Sequence, residues 1–240
     1  MRSLPPVILL DLDDTILRYS AVADECWEHV CARFAARLGD VSKDDLMAAI
    51  ARYASWYWSD RERHRTGRLD MQRARRDIVR AAFAQLRLEG LSVADELADR
   101  FTTLREDWVR PFDGAREALA AFRDRGARLG LLTNGSAQFQ RRKIERFDLA
   151  RFFDVILIEG ELGFGKPDHR VFHRALTALQ ATPSETWMIG DNLEWDIAPA
   201  QHLGIVDVWV DHAGTGLPPD SSITPTHTVA ALAALIDAFP

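Results

Sequence analysis

The stretch Val7-Ile8-Leu9-Leu10-Asp11-Leu12-Asp13-Asp14-Thr15 decides the fold. Four apolar residues stopped by acids read as a fully buried strand over residues 7–11. The run is far too short to span a bilayer. Pro5 and Pro6 precede it and Asp11 closes it, so it does not have the form of a signal peptide. A strand buried on both faces belongs in a parallel sheet, and open parallel sheets bind ligands outside the carboxyl ends of their strands. Asp11 and Asp13 stand at such an end. Two residues apart, they share a face if the strand continues.

Downstream the texture changes twice. Residues 21–38, 44–60, 70–88 and 92–109 read as helices, with Gly39, Gly67 and Gly90 as the breaks between them. From residue 112 strands and helices alternate. The strands are expected at 128–133, 154–158, 186–190 and 206–210, and the helices at 112–125, 138–147, 169–179, 194–203 and 229–239. Such alternation implies right-handed crossovers and a parallel sheet covered on both faces. The expected fold is therefore α/β: a Rossmann-like three-layer core with an inserted α-helical cap domain. Residues 1–17 and 112–240 form the core and residues 18–111 the cap.

Composition agrees. The chain has 240 residues, 47% apolar and 28% charged, which is globular and excludes wholesale disorder. A formal net charge of −6 argues against a nucleic-acid polymer as partner, though not against a local basic patch. The two cysteines, Cys26 and Cys31, point apart on a helix, so no disulfide is expected between them. Together with the missing signal peptide and membrane span, this places the protein in the cytoplasm.

Three strand ends carry similar chemistry. The first is Asp11 to Thr15. The second is Thr133-Asn134-Gly135. The third is Gly190-Asp191-Asn192, with Asp196 shortly after it. A tight loop, Gly163-Phe164-Gly165-Lys166-Pro167, lies between the last two. Turn preference explains any one of these segments; it does not explain all of them on one edge of a sheet. Clustered carboxylates repel unless a cation joins them, and hard oxygen ligands suit Mg²⁺. A carboxylate attacking a phosphomonoester needs the same help, because nucleophile and phosphate are both anionic. Lys166 is one of only three lysines in a chain that otherwise uses arginine, which suits a site wanting a compact point charge. Residues 160–166 also read G-x-x-x-x-G-K. However, Pro167 follows, with neither the hydroxyl nor the N–H of a nucleotide-binding loop.

In this order, Asp11-Leu12-Asp13-Asp14-Thr15, Leu132-Thr133-Asn134-Gly135, Gly165-Lys166-Pro167 and Gly190-Asp191-Asn192-Leu193-Glu194-Trp195-Asp196 resemble the four motifs of the haloacid dehalogenase-like hydrolases. The resemblance includes a helical cap between the first and second motifs. It implies Asp11 as the nucleophile that forms an aspartyl-phosphate, and Asp13 as general acid and base. It implies Thr133 and Asn134 on the phosphate, and Lys166 holding nucleophile and phosphate together. Mg²⁺ would be held by Asp11, Asp191 and the backbone carbonyl of Asp13, with Asp196 acting through water or by orienting Lys166. An acid at the position of Asp13 is kept by the family's phosphatases and phosphomutases and lacking in its true dehalogenases.

The reading is a Mg²⁺-dependent phosphatase of small phosphorylated metabolites, a 5'-nucleotidase or sugar-phosphate phosphatase. The alternatives are a phosphomutase, or a non-enzymatic phospho-acceptor scaffold. Trp27, Trp56, Tyr57 and Trp58, with Arg18 or Arg61 for a second anionic group, favour nucleoside monophosphates over sugar or sialic-acid phosphates. The similarity of the cap to the nucleotidase and N-acylneuraminate-9-phosphatase group points the same way. The eight arginines of residues 61–80 read first as a solvated helix face and second as a basic rim.

Overall fold

The structure, a computed structural model, describes residues 4–39 and 41–238. Six parallel strands form one sheet: β1 (Val7–Leu10), β2 (Arg128–Thr133), β3 (Val155–Ile158), β4 (Thr186–Gly190), β5 (Val206–Val210) and β6 (His227–Val229). Their spatial order is β3-β2-β1-β4-β5-β6, so the chain builds outward from β1 in one direction, then returns to β1's other edge with β4. That reversal opens a crevice at the carboxyl ends of β1 and β4, where doubly wound sheets bind ligands. All four residues of β1 are sealed from solvent. Val7 and Leu9 pack with Leu132, Leu157, Phe172, Leu176 and Met188.

The chain divides into two compact units, one comprising residues up to Arg18 and from Arg110 onward, the other Tyr19–Val109. The second is helical: α1 (Ala23–Ala35), α2 (Lys43–Ser59), α3 (Arg61–Leu69), α4 (Met71–Gln85) and α5 (Leu91–Trp108). Phe34, Leu46, Ile50, Val79, Phe83, Leu97 and Phe101 are central to its core. The sheet unit carries α6 (Ala115–Asp124), α7 (Ala137–Arg146), α8 (Glu159–Leu162), α9 (His169–Ala178), α10 (Ala198–His202) and α11 (Ala233–Ala238). Among the described residues no helix is long and apolar enough to cross a membrane.

Three expectations change. Residues 227–229 form β6, so the last helix begins at Ala233, not at Val229; Phe239 lies outside the described residues. The helix expected over 194–203 begins as a π-helical turn, Leu193–Ile197, and only then becomes α10. Gly67 is not a break: it lies inside α3. The breaks fall at Asp60 and Asp70, whose carboxylates cap α3 and α4 by accepting from the N–H groups of Arg63 and Arg73 at 2.8 and 3.1 Å. Helix-capping acids thus outweighed a glycine as punctuation.

Gly67 is there for close approach. A Cβ at this position would lie 2.7 Å from Cε1 of Tyr57 and 3.1 Å from Cζ3 of Trp58. Alanine gains at most about 1 kcal/mol of helix propensity over glycine, whereas forcing atoms into a packed interface costs about 1–3 kcal/mol. Gly67→Ala is therefore expected to destabilise the protein by about 1–2 kcal/mol, read from urea denaturation. An increase in stability would mean that the rings move aside freely.

Candidate active site

The site is built at the carboxyl ends of β1, β2 and β4. Asp11 continues the β1–β4 register by one hydrogen bond, its N–H donating to the Ile189 carbonyl at 3.0 Å. The chain then turns. Asp14 has φ +61°, its N–H donates to the Leu17 carbonyl at 2.7 Å, and the N–H groups of Ile16 and Leu17 both return to the Leu12 carbonyl. The strand does not continue, so the expected shared face of Asp11 and Asp13 does not arise that way: Asp13 forms a bridge with Leu17 across the turn of residues 14–16.

Asp11 is nearly buried, and Lys166 and Asp196 are almost wholly so. The Lys166 Nζ donates to Asp11 Oδ1 at 2.5 Å and to Asp196 Oδ1 at 2.6 Å. Asn134 clasps the lysine's backbone: its Nδ2 donates to the Lys166 carbonyl at 2.7 Å, and its Oδ1 accepts from the Lys166 N–H at 2.8 Å. The Asn134 side-chain amide is thus used to fix the lysine's backbone.

The π-helical turn after β4 places the other acids. Asn192 Oδ1 accepts from the N–H groups of Glu194 and Trp195, at 3.0 and 2.9 Å. The Asn192 N–H donates to Asp196 Oδ2 at 3.1 Å. Gly190 is required here because a Cβ would strike the Asp196 carboxylate. Thr15 Oγ1 donates to Asp191 Oδ1 at 3.4 Å, and the Trp209 indole N–H donates to the Asp191 carbonyl at 2.7 Å.

Oxygens of Asp11, Asp191 and Asp196 lie within 4.8 Å of one another. Three carboxylates thus face one ammonium, and the electrostatics records the excess. Burial pushes the Asp11 carboxyl up to about 7; Lys166 opposes the rise and Asp196 adds to it. Burial, then Asp11 and Asp196, push Asp191 up to about 9. Burial works against the charge of Lys166, but Asp11 and Asp196 outweigh it and hold its proton more tightly than usual. Among the described residues three carboxylates share the Lys166 ammonium, and such an excess of acidic oxygens fits a hard divalent cation.

Asp13 faces a different helix. The Lys143 Nζ donates to both of its oxygens, at 2.7 and 2.5 Å, and Gln140 Nε2 donates to Oδ2 at 3.0 Å. The same amide nitrogen donates to Thr133 Oγ1 at 2.5 Å and to the Asn134 carbonyl at 2.7 Å. Thr133 and Gln140 are both buried. The seven expected site residues, Asp11, Asp13, Thr133, Asn134, Lys166, Asp191 and Asp196, therefore lie in one hydrogen-bonded neighbourhood with α7. Sequence reasoning missed Gln140 and Lys143. The rarity of lysine was the available signal, since Lys143 and Gln140 are one helical turn apart just after Thr133-Asn134-Gly135.

A family model described as haloacid dehalogenase-like hydrolase matches residues 5–204. The phosphoserine phosphatase of Thermus thermophilus is 35% identical over 231 residues, which is 89% of this chain and 90% of that protein. The pyrimidine 5'-nucleotidase YjjG of Escherichia coli is 32% identical over 138 residues, 57% of this chain and 60% of its own. The solved HAD-hydrolase YfnB from Bacillus subtilis shares the fold, with a TM-score of 0.75, 22% identity and 99% of both chains covered.

The raised carboxyl groups have a consequence for stability. Without a cation, the folded protein holds protons at Asp11 and Asp191 more tightly than the unfolded chain, whose carboxyls titrate near 3.8. The resulting stability is complete below that value and lost as pH rises through about 7 and then about 9. The melting temperature in EDTA should therefore decline from about pH 5 to pH 9, and added Mg²⁺ should raise it more at pH 8 than at pH 5.5. A melting temperature indifferent to Mg²⁺ at pH 8 would remove the cation from this cluster.

Proposed function

The chain belongs to the haloacid dehalogenase-like hydrolases, and on that footing we propose that this phosphatase hydrolyses small phosphomonoesters with Mg²⁺ through an aspartyl-phosphate on Asp11. The observation that carries the reading is the buried Lys166 ammonium held between Asp11 and Asp196 beside Asp191. Asp11, Asp191 and the backbone carbonyl of Asp13 would hold the metal. Asp196 is already committed to Lys166 and to the Asn192 N–H, so its part is to keep the lysine aimed. When bound, Mg²⁺ supplies charge neutralisation and orientation for the phosphoryl group.

The protein's own groups then divide two steps. The Asp11 carboxylate forms a bond to phosphorus as the ester P–O bond breaks, and Asp13 gives a proton to the departing oxygen. Asp13 next takes a proton from water, whose oxygen attacks phosphorus and returns Asp11 as a carboxylate. Lys166 and the Thr133 hydroxyl meet the phosphoryl oxygens. Lys143 and Gln140 are positioning residues: they hold the Asp13 carboxylate by three hydrogen bonds from α7.

The leaving group is set elsewhere. The phosphoserine and pyrimidine nucleotides named for the two relatives share only the phosphomonoester. Of the aromatic residues that favoured a nucleobase, Trp27, Tyr57 and Trp58 are engaged within the helical unit. Trp27 stacks on Phe101 at 3.6 Å, Tyr57 and Trp58 pack against the core, and Trp56, although 56% exposed, carries Arg63 over its ring at 3.9 Å. Nucleoside monophosphates therefore stand level with other small phosphate esters. Two free, buried thiols, Cys26 and Cys31, suit the reducing cytoplasm.

Turnover of p-nitrophenyl phosphate should require Mg²⁺, disappear with EDTA and return on adding the metal back. Asp11→Asn should lower kcat by about 10³-fold or more in a folded protein; near wild-type turnover would sink the nucleophile assignment. Lys143→Ala should lower kcat/KM for alkyl phosphates by about 10- to 100-fold. It should matter less for p-nitrophenyl phosphate, whose leaving group needs little protonation, and Lys143→Arg should restore part of the loss. Equal losses on both esters would mean that Lys143 does not act through Asp13.

A further inference from the structure

The G-x-x-x-x-G-K run of residues 160–166 is not a nucleotide loop, yet the fold uses both of its glycines. Gly160 faces the turn that follows β2. A Cβ there would strike the Ala137 nitrogen and lie 3.0 Å from the Gly135 carbonyl oxygen. A Cβ at Gly165 would strike Asn134 Oδ1 and lie 2.8 Å from the Cβ of Glu159. Segments 134–137 and 159–166 are therefore pressed together, with no room for a side chain at either glycine.

Glu159, the first residue after β3, ties the two segments together. It is only 4% exposed. Its Oε2 accepts from the Gly135 N–H at 2.9 Å. The next residue, Gly160, donates its N–H to the Gly135 carbonyl, also at 2.9 Å. Gly135 is itself buried, and both polar groups of its backbone are thus met from the end of β3. The neighbouring Asn134 carbonyl is met from α7, by Gln140 Nε2 at 2.7 Å. Burying a carboxylate is costly unless it is hydrogen-bonded. A hydrogen bond from a backbone N–H to a carboxylate is also about twice as strong as one to a neutral acceptor. In this protein that bond falls on the turn between Thr133 and α7.

The turn carries two groups of the phosphate site. Thr133 lies two residues before Gly135. Asn134, between them, holds the backbone of Lys166 by two hydrogen bonds, at 2.7 and 2.8 Å. A shift of Gly135 is therefore passed to the Thr133 hydroxyl along the chain and to Lys166 through the Asn134 amide.

We propose that Glu159 is a positioning residue of the phosphate site, bracing the turn of residues 133–136 so that Thr133 and Lys166 face the phosphoryl group together. It acts through Gly135 and does not itself meet the substrate. The proposal rests on the phosphatase reading above and separates Glu159 from Lys143. Lys143 acts through Asp13 on the leaving group, whereas Glu159 acts on the phosphoryl group, which every ester shares.

The test uses Glu159→Met, which keeps the length of the side chain without its carboxylate, and Glu159→Gln, which keeps an oxygen able to accept from Gly135. Both are compared with wild type in kcat and KM on p-nitrophenyl phosphate and propyl phosphate, and by calorimetric titration with inorganic phosphate in the presence of Mg²⁺. Glu159→Met should weaken phosphate binding, and lower kcat/KM on both esters alike, by about tenfold or more. Glu159→Gln should recover most of the loss. A dissociation constant and a KM do not depend on how much of the protein is folded, so loss of folded protein alone leaves them unmoved. Should Glu159→Met fail to fold by circular dichroism, Glu159→Asp, which withdraws the carboxylate by one methylene, serves in its place with the same expectation. Unchanged phosphate affinity in the folded variant overturns the proposal. So does a loss confined to propyl phosphate, which would place Glu159 with Lys143, or a Gln variant as impaired as the Met variant. Absence of turnover in wild type would instead defeat the phosphatase reading. The phosphate titration then decides alone: binding lost in Glu159→Met and kept in Glu159→Gln supports the brace, and a wild type that binds no phosphate overturns it.

Discussion

A single buried ammonium organises the sheet unit. Lys166 Nζ sits between Asp11 and Asp196, almost fully removed from water. Charges of this kind are tolerated only when paired and hydrogen-bonded, so three separate chain segments are obliged to meet. The end of β1 brings Asp11, the loop before α9 brings Lys166, and the π-helical turn after β4 brings Asp196. Asn134 fixes the lysine's backbone from the end of β2. Among the described residues Asp191 has no ammonium in ion-pair contact, and burial raises its carboxyl further than that of Asp11. The same crowding of carboxylates makes this cluster a fit for a divalent ion.

The two lysines of the site divide its acids. Lys166 belongs to Asp11 and Asp196; Lys143 belongs to Asp13. Were Asp13 on a continuing strand, both acids would compete for one cation. The turn centred on Asp14 sends Asp13 to α7 instead, where Gln140 ties it to Thr133 through one amide nitrogen. Asp11 is thereby held from the loop before α9 and Asp13 from α7, and a change at one need not disturb the other.

In the helical unit the same physics runs on a different residue. Arg76 and Arg80 are neutralised by Asp99 and Asp95 at partly exposed positions, where each pair adds little to stability. Arg75 is buried beside the Phe101 ring, and its Nη2 donates to the Tyr19 hydroxyl at 2.9 Å.

Much of this was legible in the residues. The apolar run Val7 to Leu10 stopped by Asp11 announced a buried parallel strand, since no other element hides four consecutive side chains in so short a length. The recurrence of acid, hydroxyl and amide residues at the strand ends located the site, because parallel sheets present those ends together. Other features depended on distance across the fold. Gly67 reads as a break in sequence and is a close contact in space, which only the Tyr57 and Trp58 rings reveal. Asn134 reads as a phosphate ligand, and the fold adds a second part, a side-chain clamp on Lys166. Lys143 looks idle until α7 is laid beside Asp13. Local pattern determined which elements form and where their ends lie, because backbone preferences and hydrophobic periodicity act over a few residues. Which acid receives which ammonium was decided by tertiary structure, because pairing in a low-dielectric interior depends on separations of about 3 Å between segments more than a hundred residues apart.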